Sequence, residues 1–257
     1  MKAVILAGGL GTRLAEETDI RPKPMIEIGG MPILWHIMKI YSHHGINEFV
    51  ICCGYKGFQI KEYFANYLLH NSDMSINLTN NRIEILNNKT EPWHITLVDT
   101  GELTQTGGRL KRVKDYLVGE SFCLTYGDGV SDINISALID FHKSHDGIVT
   151  LTAVHPDARY GALGINKESQ ITSFLEKPEG EGGWINGGFM VMDVGVFDFI
   201  KNDETSLERD VLGKLANQNS LYAFNHHGFW HSMDTLRDKI SLNNMWQSQT
   251  AKWRIWS

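Results

Sequence analysis

Cysteine is scarce in this chain, with three among 257 residues, at Cys52, Cys53 and Cys123. Cys52 and Cys53 are neighbours in an apolar run, where successive side chains point to opposite faces, so they are poorly placed to pair. An odd, sparse set within apolar segments excludes a disulfide-stapled scaffold and reads as reduced core thiols in the cytosol. Long hydrophobic runs are missing too. No window approaches the roughly 18 apolar residues of a membrane span. The early apolar run, in "MKAVILAGGLG", ends in glycines after five residues, so neither a signal peptide nor a membrane partner is expected. There is no excess of basic charge. The net charge of −6 argues against a nucleic-acid partner. Repeats, low-complexity tracts and Pro- or Ser-rich linkers are also absent.

What is present is ordinary for a soluble globular chain: 42% hydrophobic and 21% charged residues, enough length for one large α/β domain or two small ones. Apolar strands alternate with amphipathic helices over the first two-thirds. "AVILAG" reads as the first strand. "PILWHIMKIYSHHG" places Ile33, Leu34, Ile37, Met38 and Tyr41 at helical spacing, after Pro32 and before Gly45. "FVICCG" is a second buried strand, followed by the helix "FQIKEYFANYLL". Continuous apolar strands separated by helices predict a mostly parallel sheet covered on both faces, a Rossmann-like three-layer α/β sandwich. "MSINLTNNRIEIL" interrupts the rhythm with a hairpin around Asn80 and Asn81. "WHITLVDTG", "SFCLTYGDG" and "IVTLTAVHP" are further strands, with helices at "TGGRLKRVKDYL" and "SALIDFHKSH". Beyond this the chain turns β-rich and then helical at "SLERDVLGKLAN", capped by Ser206. "SLYAFNHHGFW" is a late strand and "TLRDKISLNNMWQ" a last helix. The reading is one catalytic α/β body with a smaller C-terminal α+β portion.

The Gly-rich loop after the first strand matches neither common phosphate loop. In "VILAGGLGTRLAEETDIRPKPM" no lysine stands beside the last glycine, as a P-loop needs; Lys23 comes later, between Pro22 and Pro24. A dinucleotide fingerprint would need a third glycine where Leu14 stands. The stretch resembles the G-G-x-G-T-R-L and P-K-P signature of sugar-phosphate nucleotidyltransferases. "TYGDG" (125–129), "FLEKP" (174–178), "INGGFMV" (185–191) and "HSMDTLRD" (231–238) match later family signatures in order. Many relatives have proline where Glu16 stands here. "EPWHITLVDTG", "TGGRLKRV" and "GFWHSMDTLRDK" are most similar to the branch that joins CTP and α-D-glucose 1-phosphate into CDP-glucose and pyrophosphate. UTP or dTTP is the alternative donor, and a non-catalytic sugar-nucleotide sensor is a reading from a different class. The resemblance implies a single domain over 1–257, with a nucleotide-binding half (1–155) and a sugar-binding and oligomerisation half (156–257). It also implies a cytoplasmic homo-oligomer, a hexamer, in dideoxy-sugar biosynthesis for surface polysaccharide.

The chemistry implied needs no side-chain nucleophile. A phosphate monoester has a second pKa near 6, so the attacking oxygen is already ionised at neutral pH. The difficulty is assembling anions, and it is met by positioning and charge neutralisation. The nucleotide would lie along Leu6, Ala7, Gly8, Gly9, Leu10, Gly11 and Thr12, with main-chain N–H groups aimed at phosphates. Arg13 would bind the departing pyrophosphate, and Lys23, unless it is a surface lysine, would sit between the reacting phosphates. Magnesium takes one or two carboxylates plus phosphates and water. Asp128 and Asp234 are the implied ligands; an Asp-Gly turn and a helix N-cap are their structural alternatives. For the sugar 1-phosphate, Glu176 would bind hydroxyls, Lys177 the phosphate, and Asn186 the sugar, with Tyr160 and Gly161 closing the pocket or merely packing. Arg109, behind two glycines that allow close backbone approach, offers two parallel donors to the adjacent O2 and N3 acceptors of cytosine, with Thr104 and the backbone of Gly107 and Gly108 near the nucleotide. The alternative is that Arg109 or Lys111 meets phosphate or solvent. Trp246, Trp253 and Trp256 read as core or interface, and residues 70–95 as a subunit contact or lid.

Overall fold

Seven strands form the central sheet: β1 (Ala3–Ala7), β2 (Glu48–Cys53), β3 (His94–Asp99), β4 (Phe122–Tyr126), β5 (Val149–Val154), β6 (Ile185–Met192) and β7 (Leu221–His226). Their spatial order is β7-β5-β6-β4-β1-β2-β3. Neighbouring strands are parallel except at β6, which runs antiparallel to both β4 and β5. The computed structural model describes residues 1–11, 14–117, 119, 121–155, 162–165, 171–175 and 183–256, without the side chains of 15, 16, 162–165 and 171–175.

The central strands of this mostly parallel sheet are apolar on both sides. All five residues of β1 are buried, and alternate residues enter two separate cores. Ile5, Ile51 and Cys53 face a core shared with the helix α1 (Ile33–His43). Val4, Leu6, Val50 and Cys52 face another, shared with Leu110 of the helix α2 (Thr106–Arg112) and Leu207, Val211 and Leu215. Cys52 and Cys53 thus point into different layers, and all three cysteines are buried free thiols. Two strands from beyond residue 156 join this one sheet, so the two sequence halves share it.

The expected hairpin is present as Ser72–Asn77 paired with Arg82–Asn88, with Asn81 at a φ of 53°. The tryptophan question resolves toward core. Trp253 is fully buried, and it, Trp246 and Trp256 surround His36 on α1. His36 donates from Nε2 to the Ile28 carbonyl (2.8 Å), while its Nδ1 accepts from Trp253 Nε1 (3.4 Å). Burial pulls its pKa down to about 4, so the neutral tautomer fits both bonds.

One expected strand is divided. "SLYAFNHHGFW" leaves the sheet after His226, and Trp230–Ser232 pairs instead with Gly129–Ser131. Gly228 permits the turn: a Cβ there would lie 2.3 Å from Asp132 Oδ1. The small ladder continues as Met233 N–H donates to the Asp128 carbonyl (2.8 Å). That hydrogen bond fixes Asp234 beside Asp128, although the two are far apart in sequence.

Candidate active site

The strand order reverses beside β1: β2 and β3 extend to one side of it and β4 lies on the other. In open α/β sheets ligands gather at such a switch, outside the carboxyl ends of the strands. A cleft of about 460 Å³ lies there, lined by Leu6 to Gly11, the end of β1 and the loop that follows, and by Tyr126, Gly127 and Asp128 at the end of β4. Its other wall is formed by Glu102 to Thr106 and Arg109. A volume of this size suits a nucleotide-sized ligand.

Lys23 also lines the cleft. Its backbone opens the short 3₁₀ turn Lys23–Met25, preceded by Pro22 at a φ of −65°; Pro24 and Met25 are buried, which anchors the turn. The ammonium lies 2.7 Å from Asp128 Oδ2 and 2.8 Å from Asp234 Oδ1. Its side chain is only 11% exposed, which rules out a solvated surface lysine. Burial works against the charge, but Asp128 and Asp234 outweigh it and raise the pKa above its ordinary value. Lys23 therefore stays protonated at neutral pH.

Both carboxylates converge on the Lys23 ammonium, so a hard divalent cation held by the same pair would lie beside that charge or take its place between them. Asp234 does not cap the following helix. That helix, α3 (Leu236–Gln247), is capped by Thr235, whose side chain accepts from Asp238 N–H while Asp238 closes the capping box. The second Asp234 oxygen, Oδ2, accepts from Ser232 (2.9 Å). No group of three or more His, Cys, Asp or Glu able to hold a metal occurs among the described residues. A bound ion would then take two carboxylates here and complete its shell with phosphate and water, the arrangement magnesium favours.

Arg109 departs from expectation. It is 4% exposed, and its terminal nitrogens are spent on the protein. Nη1 donates to Thr100 Oγ1 (2.9 Å) and the Gly101 carbonyl (2.7 Å), and Nη2 to the carbonyls of Gly8 (2.9 Å) and Glu102 (3.0 Å). The fork ties the loop after β1 to the loop after β3 instead of facing a base. Gly8 makes this possible, since a Cβ there would sit 2.1 Å from Nη1. Gly107 and Gly108 likewise serve packing rather than nucleotide approach. A Cβ on Gly108 would come within 2.5 Å of the Asp203 carbonyl, and one on Gly107 within 2.7 Å of the Thr205 carbonyl. Arg109→Ala is thus expected to lower kcat/KM with CTP and with UTP by the same factor, as the loops lose their common anchor. A selective loss with CTP, in parallel steady-state assays, would restore direct base reading.

Of the other expected residues, Leu6, Ala7, Gly8, Gly9, Leu10, Gly11 and Thr104 line the cleft. Asn186 does not line it but donates from Nδ2 to Tyr126 Oη (3.3 Å), and Tyr126 does. Thr12, Arg13, Tyr160, Gly161, Glu176 and Lys177 lie outside the described residues. Sequence reasoning passed over Thr106, Tyr126 and Glu208. Tyr126 was within reach, inside "TYGDG"; Glu208 carried no local signal.

The family model described as nucleotidyl transferase matches residues 2–248. Among curated proteins the chain is 58% identical to "Glucose-1-phosphate cytidylyltransferase" of Salmonella typhimurium, over 100% of both chains. It is 41% identical to "Probable glucose-1-phosphate cytidylyltransferase" of Bacillus subtilis, again over 100% of both. The crystal structure of HddC from Yersinia pseudotuberculosis superposes with a TM-score of 0.68 at 24% identity, covering 95% of this chain and 99% of that one, a likeness of fold.

Proposed function

The chain belongs to the nucleotidyl transferase family, and we propose that it transfers CMP from CTP to α-D-glucose 1-phosphate, releasing CDP-glucose and pyrophosphate. Full-length identity of 58% to a glucose-1-phosphate cytidylyltransferase supports this substrate pair. The observation that carries the chemistry is Lys23 held between Asp128 and Asp234 in the wall of a glycine-lined cleft.

A phosphate oxygen of the sugar 1-phosphate attacks the α-phosphorus in line. The bond from that phosphorus to the bridging oxygen breaks, and pyrophosphate leaves with the electron pair. Among the described residues lining the cleft there is no serine, cysteine or histidine, in keeping with a nucleophile that arrives already ionised. Lys23 places a positive charge where charge builds up at the α-phosphate. The main chain of Gly8 to Gly11 gives the phosphates N–H donors, and Arg13 takes the leaving pyrophosphate. A magnesium ion held by Asp128 and Asp234 would supply charge neutralisation across the phosphates. Family members use a divalent metal; magnesium is the identity proposed here. Arg109 shapes the nucleotide site by fixing the carbonyls of Gly8, Gly101 and Glu102. Glu176, Lys177 and Asn186 serve the sugar phosphate, with Tyr160 and Gly161 at its edge.

We also propose a cytoplasmic homo-oligomer. Free buried thiols and the lack, among the described residues, of any helix long and apolar enough to cross a membrane support the location. The hairpin 72–88 supports the assembly, because Ile76, Leu78, Ile83 and Leu86 are exposed on it and a second copy could bury them. The test of the activity is a grid of four nucleoside triphosphates against several sugar 1-phosphates, read by pyrophosphate release. Release is expected chiefly with CTP and glucose 1-phosphate and is abolished by EDTA. Release with UTP alone would overturn the cytidylyl assignment.

A further inference from the structure

The helix capped by Ser206 opens abnormally. Residues Leu207–Leu212 form π-helical turns before the chain settles into the α-helix Gly213–Asn217. Such widened turns are rare and frequent at functional sites. Here the widened segment carries Glu208, whose carboxylate accepts three hydrogen bonds from side chains. Tyr126 Oη–H donates to Oε1 (2.7 Å), while Thr106 Oγ1–H (2.7 Å) and Ser206 Oγ–H (2.9 Å) donate to Oε2. Tyr126 and Thr106 both line the cleft.

The direction of these bonds matters. An ionised carboxylate can only accept. Tyr126 has one proton and gives it to Glu208, so towards Asn186 its oxygen can only accept. Asn186 Nδ2–H supplies that bond (3.3 Å). Asn186 cannot turn its amide round without loss, because its Oδ1 already accepts from Gly188 N–H (2.9 Å). The chain therefore runs one way, from Asn186 through Tyr126 to Glu208, and it holds the amide nitrogen of Asn186 on the side of Tyr126, a residue that lines the cleft. Burial pushes the Glu208 pKa up, but the bonds from Thr106, Tyr126, its own main chain and Ser206 outweigh this and hold it below the usual carboxylate range. The carboxylate is thus ionised across the neutral range.

We propose that Glu208 is a positioning residue for the sugar 1-phosphate: by accepting from Tyr126 it orients the amide of Asn186, so that an N–H donor meets a sugar hydroxyl. This rests on the reading of Asn186 as a sugar contact. Glutamine at 208 would keep the shape but could offer an N–H to Tyr126. The phenol proton would then turn towards Asn186 and face another donor, forcing either a lost bond or a flipped amide.

Steady-state kinetics of the full chain test this, with glucose 1-phosphate and CTP varied separately. Glu208→Gln is expected to raise KM for glucose 1-phosphate about five- to tenfold, the loss of roughly one hydrogen bond, with a smaller change in kcat. Tyr126→Phe, which removes the relay while leaving Glu208, gives the same signature and serves if Glu208→Gln fails to fold. In an Asn186→Ala background, itself raised in KM for glucose 1-phosphate, Glu208→Gln should add little. If Asn186→Ala raises that KM and neither Glu208→Gln nor Tyr126→Phe does, the positioning role is overturned and the sugar contact stands. Fully additive effects would overturn it as well. If Asn186→Ala leaves the KM unchanged, the sugar reading itself fails.

Discussion

Replacing Lys23 with methionine is expected to lower kcat by about 10²- to 10³-fold, the usual cost of removing one preorganised charge from a transition state. Methionine approximates the length of the lysine stem and removes only the charged end. The ammonium lies within 2.8 Å of both carboxylates and is held by a turn anchored by buried Pro24 and Met25. It costs nothing to organise at the moment of reaction. Its attraction for the nucleotide grows as negative charge accumulates at the α-phosphate, so kcat falls more than KM for CTP rises. Lys23→Arg should not rescue, because the bulkier guanidinium would pair with the carboxylates but would not fit the buried space of a compact ammonium. A second effect follows from the same geometry. Without the ammonium, Asp128 and Asp234 face each other as like charges. The melting temperature of Lys23→Met should fall in EDTA and recover with added magnesium, whereas the parent protein should show a smaller difference. A kcat within threefold of the parent would remove Lys23 from the chemistry.

The second large effect is expected at Asp234. Asp234→Asn should reduce activity at least about 10²-fold at fixed magnesium, with part of the loss regained at higher magnesium. The position allows a clean test, because Asp234 does not hold the helix that follows; Thr235 and Asp238 do. The isosteric amide can still accept from Ser232, so the fold should survive and the loss should report on cation binding. An unchanged magnesium titration in Asp234→Asn would exclude this carboxylate as a ligand.

Much of this could be read before the structure, and the reasons differ by residue. The apolar runs that became β1, β2 and β4 were legible because strands buried on both faces have no polar side. The opposite fates of Cys52 and Cys53 followed from the two-residue period of a strand. Ser206 was legible as a cap, since its side chain accepts from Arg209 N–H within one turn. Asp234 was placed in the site by resemblance, while its local context suggested a cap that Thr235 in fact provides.

What stayed hidden depends on partners without a sequence signature. Arg109 is bound to the carbonyls of Gly8, Gly101 and Glu102, atoms that every residue carries. No motif announces which carbonyls a buried guanidinium will meet, so a free fork aimed at a base was the natural expectation. Gly107 and Gly108 looked like room for a ligand and proved to be room for Asp203 and Thr205, a segment almost 100 residues later in the chain. Glu208 is tied to Tyr126 and Thr106 at separations of 82 and 102 residues, beyond any periodicity argument. The last strand splits at Gly228, where a Cβ would crowd the side chains of Asp132 and His226.

The central claim is that this site moves CMP directly from nucleotide to sugar phosphate, supplying charge and position but no nucleophile of its own. The most direct measurement is the stereochemical course with CTP made chiral at the α-phosphorus by sulfur substitution, followed by analysis of the thio-CDP-glucose formed. A single in-line displacement predicts inversion at phosphorus. Net retention would require two displacements through a covalent nucleotidyl-enzyme and would contradict the account.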